Sequence, residues 1–360
     1  MEEWSIKIRF YPETHEVLLH PFFYTILIKE CTSARRGIAK EPLIERVYRK
    51  IYPVAKTPGL GVGFTRRAAE LLIESAVKWG FLHRDHHWNA RGHVINNVAH
   101  NLTSIGITDS IAYLKYYLDE DGAAIIHLLY KMKEKGNIIS RSQFLNNKGL
   151  EETIRSLAEE YLDQALEPKQ KLYLRKFIDR TKKGYTSHTR EHRFNPRVES
   201  LVDLGILERQ KDHEVSYYSA SRGTVSLMDL FLELFPNAVS LETILSKRGD
   251  YFRRAAKLYN LGEKMLNLTD DFSLVQEQIV DAYNKVKDET FRFATIDSIT
   301  DIVCINLLVN FNIICEKKNV KDIIKIMRSK AEGHIRYHVD DWGRIKYLII
   351  SPEYVEEIKD

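Results

Sequence analysis

Residues Leu204-Gly205-Ile206-Leu207-Glu208-Arg209 carry the chain from the end of an amphipathic helix straight into a strand. A charged turn follows, and then Val215-Ser216-Tyr217-Tyr218. Glycine suits the position just past a helix C-terminus, where the backbone turns through a left-handed conformation that other residues adopt only at a cost. The segment before it, Pro196 to Leu204, reads as a helix. The segment after it alternates as a hairpin.

The same pattern occurs twice more. Ala68 to Trp79 reads as a helix, followed by Gly80 and Phe81-Leu82-His83-Arg84. Val320 to Glu332 reads as a helix, followed by Gly333 and His334-Ile335-Arg336-Tyr337. In the first of these, Ala68, Leu71, Leu72, Ser75, Ala76 and Trp79 recur at helical spacing and predict one buried face. In the last, Ile335, Tyr337 and Val339 alternate with Arg336 and His338. Asp340-Asp341-Trp342-Gly343 reads as the turn, and Ile345, Tyr347 and Ile349 alternate with Arg344, Lys346 and Leu348. The near-equal spacing of Gly80, Gly205 and Gly333 points to three units of similar size.

Further helices are expected before each glycine. Glu16 to Lys29 and Glu41 to Tyr52 precede the first. Ala123 to Lys135 and Ser140 to Asn147 belong to the second. Asp271 to Asp288 and Ile296 to Val309 precede the third. A helical insertion, Leu150 to Lys183, interrupts the second unit, and Asn310 to Asn319 makes a long link in the third. Thr224 to Phe235 and Tyr251 to Leu261 read as bridging helices. Trp4, Ile6, Ile8 and Phe10 alternate as an edge strand. The expected organisation is unit 1 over 1–108, unit 2 over 109–222 with the insertion at 150–183, bridging helices over 223–268, and unit 3 over 269–360.

Composition sets the class. A chain of 360 residues with 44% hydrophobic and 29% charged residues can bury two or three cores and has no low-complexity tract. Cys31, Cys304 and Cys315 are too few and too scattered for a disulfide framework or zinc finger, and read as small buried residues in a reducing cytosol. The acidic start Met-Glu-Glu-Trp is no secretory signal. The most apolar run, Ile302 to Cys315, is shorter than a membrane span and holds three asparagines, so it reads as a buried helix and its exit. A cytoplasmic protein with no membrane partner is expected. Net charge is only +4, but Lys169 to Lys211 holds twelve Lys/Arg against five Asp/Glu, so the basic charge is concentrated mid-chain.

Helix, helix, helix, hairpin resembles the winged helix-turn-helix superfamily, with Leu204 to Arg209 and Val215 to Tyr218 resembling a recognition helix running into its wing. The resemblance is to a fold pattern, not to one protein. It implies a mainly α fold with small β-hairpins (α+β), as two to three tandem winged-helix domains with extra bridging helices. It also implies double-stranded DNA as partner. Recognition-helix N-termini would enter the major groove, and wings would touch the backbone or minor groove. Thr65, Arg66 and Arg67 would open the first recognition helix, with His86, His87 and Arg91 on the wing. Arg190, His192, Arg193, Asn195 and Arg197 would start the second, with Lys211 and His213 on its wing. Lys317, Lys318 and Lys321 would start the third, with Arg344 and Lys346 flanking the wing. Arginine at such places grips guanine or holds phosphate; the bland alternative for each is a solvated charge near a helix end. Unit 2 is the expected DNA surface because of its basic excess, and unit 3 is assigned to protein contact ahead of DNA.

Other motifs are weaker. Gly59-Leu60-Gly61-Val62-Gly63 fits neither phosphate-loop template and reads as a turn before a helix. His83, Asp85, His86, His87 and His93, with Asn96, Asn97 and His100 downstream, form a metal-like cluster whose context does not match a nuclease. No cofactor is expected. Three functions remain open: a non-enzymatic DNA-binding protein, an adaptor within a nucleoprotein complex that uses its winged helices or a second copy of itself for protein contacts, and a metal-dependent nuclease at the His-rich loop.

Overall fold

The computed structural model describes residues 20–32, 37–56, 63–102, 105–106, 108–117, 138–140, 142, 152, 155, 158–160, 162–163, 168–184, 186, 195, 197–212, 215–220, 250, 252–339 and 345–358. The expected strand at Trp4 to Phe10, the helices at Ala123 to Lys135 and Thr224 to Phe235, and the turn at Asp340 to Gly343 lie outside them.

The chain is mainly helical with small sheets. Its elements are α1 (Pro21–Glu30), α2 (Lys40–Ala55), α3 (Arg66–Lys78), α4 (Ala90–Val98), β1 (Ile138–Ser140), α5 (Pro168–Lys182), β2 (Leu207–Asp212), β3 (Val215–Ala220), β4 (Lys264–Met265), α6 (Phe272–Val286), β5 (Ala294–Thr295), α7 (Ile296–Phe311), β6 (Ile313–Ile314), α8 (Lys317–Lys330), β7 (Ile335–Val339), β8 (Ile345–Ile350) and α9 (Pro352–Glu357), with unlabelled helical stretches at 108–117, 197–203 and 252–258. Two compact units result. One takes residues 1–22 and 113–258, and the other takes 23–112 and 259–360. Segments read from the sequence as the first and third units thus share one core.

In that shared unit, α7 is the centre. Its whole length from Ile296 to Leu308 is buried apart from Asp297 and Ser298, and α4, α6 and α8 all pack on it. The run Ile302 to Cys315 is therefore a buried helix and its exit, as its apolarity requires. The link to α8 is short: Asn312 takes the left-handed conformation at the α7 C-cap, Ile313 and Ile314 form β6 beside β4, and α8 begins at Lys317. In α3 the buried set is Ala68, Ala69, Leu72, Ile73, Ser75 and Ala76; Leu71 is only half-buried, its place taken by Ile73.

Both three-stranded sheets are antiparallel and have one order: the first strand pairs with the last, and the last with the middle, giving β1-β3-β2 and β5-β8-β7. Ser140 therefore ends a strand, where the sequence suggested a helix start. Between α1 and α4 there are two isolated bridges, a parallel one from Thr32 to His87 and an antiparallel one from Leu82 to Trp88. In the β7–β8 pairing the register shifts between His338 and Val339, so that Val339 faces Ile345 and His338 faces Tyr347. The bulge at Lys346 flips the later side chains: Leu348 and Ile350 are buried, and Tyr347 and Ile349 face out.

Gly80 and Gly205 have φ of +72° and +71°. Each closes its helix in the same way. The glycine N–H donates to the carbonyl three residues back, Val77 or Val202, and the next N–H, of Phe81 or Ile206, donates to Ala76 or Leu201. This double bond satisfies two orphan carbonyls and aims the chain into a strand. A Cβ at Gly205 would meet nothing within 4 Å, so substitution costs only the left-handed backbone. Gly205→Ala is expected to lower the stability of its unit by about 1 kcal/mol, read as a lower urea midpoint at unchanged slope. Gly205→Asn should lose less.

Candidate nucleic-acid interface

Helix α8, Lys-Lys-Asn-Val-Lys-Asp-Ile-Ile-Lys-Ile-Met-Arg-Ser-Lys, buries Val320, Ile323, Ile324 and Met327. Lys318, Lys321, Lys325 and Arg328 recur at complementary helical spacing and so form a stripe on the opposite side; Lys318, Lys325 and Arg328 are exposed and Lys321 is half-buried. The helix has six Lys/Arg against a single Asp322, so this face is strongly positive. Its start is well built: Asn319 Oδ1 accepts from the Glu316 N–H at 3.1 Å, and Lys317 Nζ lies 2.9 Å from Asp301 Oδ1. Lys325 pairs with Asp322 one turn back at 2.9 Å. Arg328 lies over the Tyr337 ring at 4.3 Å, which holds its guanidinium against β7. Among the described residues, Lys318 and Lys321 have no ion pair. Lys325 and Arg328 were not singled out from the sequence, although their i, i+3 and i+7 relation to Lys318 and Lys321 was there to find.

At the start of α3 the charges are balanced. Thr65 is the N-cap, its Oγ1 accepting from the Ala68 N–H at 3.1 Å. Arg66 reaches Glu45 at 3.5 Å and Glu41 at 4.0 Å. Arg67 pairs with Glu70, whose other oxygen takes Lys40 at 2.7 Å. Lys40 first, then Arg67, holds the Glu70 carboxyl below its usual range. Both arginines are exposed, but the carboxylates beside them lower the local positive potential.

Other expected contacts lie in the interior. Arg91 is on α4; it donates to the Trp79 carbonyl at 2.9 Å and lies 3.9 Å from Asp301, so Asp301 joins α4 to the first turn of α8. In the other unit, Asn195 and Arg197 are buried. Asn195 and Arg197 are thus enclosed, and Arg91, 13% exposed, is half-buried and engaged by the protein. Arg190, His192, Arg193, His213 and Arg344 lie outside the described residues, as does the Lys211 side chain. Part of the basic excess of the second unit is on α5, which buries Leu174, Phe177 and Ile178 and exposes Arg175, Lys176 and Lys182 beside Leu172 and Tyr173.

The His-rich loop is a folded turn. His86 has φ of +67°, and its Nδ1 lies 2.8 Å from the Ile38 carbonyl. His87 lies 2.5 Å from Asp85 and stacks on His83 at 4.2 Å. His93 packs edge-on to Trp88. Among the described residues, no group of three or more His, Cys, Asp or Glu could hold a metal ion. Cys31 and Cys304 are buried and Cys315 is half-buried, all as free thiols. None of the described helices is long and apolar enough to cross a membrane.

No protein family, curated protein or solved structure matches the chain.

Burial, helped by the charge of Lys285, pushes the His93 pKa down from 6.5 to about 4. The unfolded chain therefore takes up this proton first as pH falls. Stability is complete above about 6.5 and is lost on the way down to about 4, by about 3 kcal/mol from this group. Urea unfolding across that range is expected to show the loss in wild type and a flatter profile in His93→Gln.

Proposed function

We propose that the protein binds double-stranded DNA, with residues 272–350 as a winged helix, α8 as its recognition helix and the β7–β8 hairpin as its wing. The observation that carries this reading is the basic outer face of α8, set opposite its buried face. Support for the fold comes from the order α6, β5, α7, α8, β7, β8 with sheet order β5-β8-β7, which is the helix-strand-helix-helix-strand-strand plan of a winged helix. The equivalent order β1-β3-β2 supports a second winged unit ending at Ala220, and the Thr32–His87 and Leu82–Trp88 bridges support a minimal one over α1 to α3. The protein is thus read as two to three tandem winged helices, acting without catalysis.

Lysines on an exposed helix face neutralise phosphates and release counterions, so binding on this surface is steeply salt-dependent. The expectation from sequence put the DNA surface on the second unit; this reading puts it on the third, because Lys318, Lys325 and Arg328 of α8 are exposed, whereas Arg197 of the second unit is buried. An adaptor role is the second reading, supported by Leu172 and Tyr173, which are 56% and 54% exposed on α5.

Fluorescence anisotropy with a labelled random-sequence duplex across a salt series tests this. Wild type should bind with a steep negative slope of log affinity against log salt. Lys318/Lys321/Lys325→Ala should shorten that slope by up to about 3, one phosphate contact per lysine, with an unchanged melting temperature, since exposed charges contribute little to stability. Absence of duplex binding by wild type even at low salt would overturn the duplex reading and leave the adaptor role.

A further inference from the structure

The outer face of the β5-β8-β7 sheet carries a row of rings that duplex binding on α8 does not use. Phe291 stacks on Phe293 at 6.1 Å between centroids, Phe293 meets Tyr347 edge-on at 4.9 Å, and Tyr347 lies 6.4 Å from His338. Cross-strand pairing places Thr295, Tyr347 and His338 in one rank and Ile349 beside Arg336 in the next. Phe291 is 71% exposed, Tyr347 39% and Ile349 38%.

The turn that presents Phe291 is built with care. Asp288 Oδ1 accepts from the Thr290 and Phe291 N–H groups, both at 2.8 Å. The Asp288 N–H donates to the Phe293 carbonyl, and the Arg292 N–H donates to the Asp288 carbonyl, both at 2.8 Å. Tyr283 donates its hydroxyl to the Arg292 carbonyl at 2.5 Å. Arg292 takes φ of +53°. Four hydrogen bonds in the loop and one from the core therefore hold a large apolar ring out in water, an arrangement that ordinary folding would not select. Exposed cations surround the rings: Arg292 at the turn, Arg336 on β7 and Lys346 on β8. Strands β5, β7 and β8 contain no Asp or Glu. Among the described acids of this region, Asp288 has its carboxylate engaged in the turn, Glu289 follows it in the chain, and Glu353 interacts electrostatically with Arg292.

We infer that this face binds an unpaired nucleic-acid strand, with bases stacking on Phe291, Phe293 and Tyr347 and phosphates meeting Arg292, Arg336 and Lys346. Rings interleaved with cations on an open antiparallel sheet match a strand that offers flat bases and anionic phosphates in alternation. An apolar protein partner would use the rings but not the exposed Arg292 and Arg336. Phe291 and Phe293 lie outside both α8 and the β7–β8 hairpin, so they separate this inference from the duplex reading.

The probe is a fluorescent oligothymidylate of about 12 nucleotides, long enough for a site of ordinary size, titrated with full-length protein. Phe291→Ala and Tyr347→Ala are each expected to weaken binding about tenfold, and Phe291→Ala, outside both α8 and the β7–β8 hairpin, should leave duplex affinity and melting temperature unchanged. Lys318/Lys321/Lys325→Ala should do the reverse. Because Phe291 is mostly in solvent, its variant folds normally, and any loss belongs to the surface. The inference is overturned if wild type does not bind the oligonucleotide, or if both ring variants bind it as wild type does. Sedimentation velocity supplies the remaining arm: a wild-type dimer that Phe291→Ala dissolves would make the face a self-association surface and overturn the inference as well.

Discussion

Burial of α7 is the constraint on which the unit formed by residues 23–112 and 259–360 depends. Ile299, Ile302, Val303, Ile305, Leu307 and Leu308 are at most 1% exposed. Each side chain fully removed from water contributes about 1.5–3 kcal/mol, and α7 supplies six of them. A helix apolar on all sides must be enclosed by other elements. Helices α4, α6 and α8 enclose it, and β8 adds a further side. That requirement brings the early segment carrying α4 against the late segment carrying α7.

Enclosure has a polar consequence. Asp301 lies on the buried helix, where an unpaired carboxylate would be costly. Arg91 and Lys317 supply the opposite charges. The two cations serve the core, while the remaining cations of α8 stay in solvent. The division of positive charge thus follows from one helix: Lys317 pairs with Asp301 of α7, while Lys318 and Lys321 on the outer face have no ion pair among the described residues.

The glycine turns set where strands leave helices. At Gly80 and Gly205 the left-handed turn and its paired hydrogen bonds deliver the next residue, Phe81 or Ile206, back into the core. Each hairpin therefore starts from a fixed point beside its helix. At the far end of the third sheet, the bulge at Lys346 places Tyr347 on the outer face next to Phe293. One irregular residue converts a strand that would have buried its tyrosine into one that displays it.

The sequence by itself determined the local features: helices with one apolar side, glycines past their ends, the hairpin of Ile335 to Ile350, and an over-apolar helix ending near Cys315. These follow from periodicity and backbone sterics, which act within a few residues. Only the tertiary structure decided which charges are available. Asn195 and Arg197 read the same in sequence as Lys318 and Lys321, yet the first two are buried, because burial depends on neighbours far along the chain. The faces of β8 escaped a simple alternation because a bulge changes the period, and the ring row of Phe291, Phe293, Tyr347 and His338 assembles from two strands and a turn that come together only once the sheet has formed.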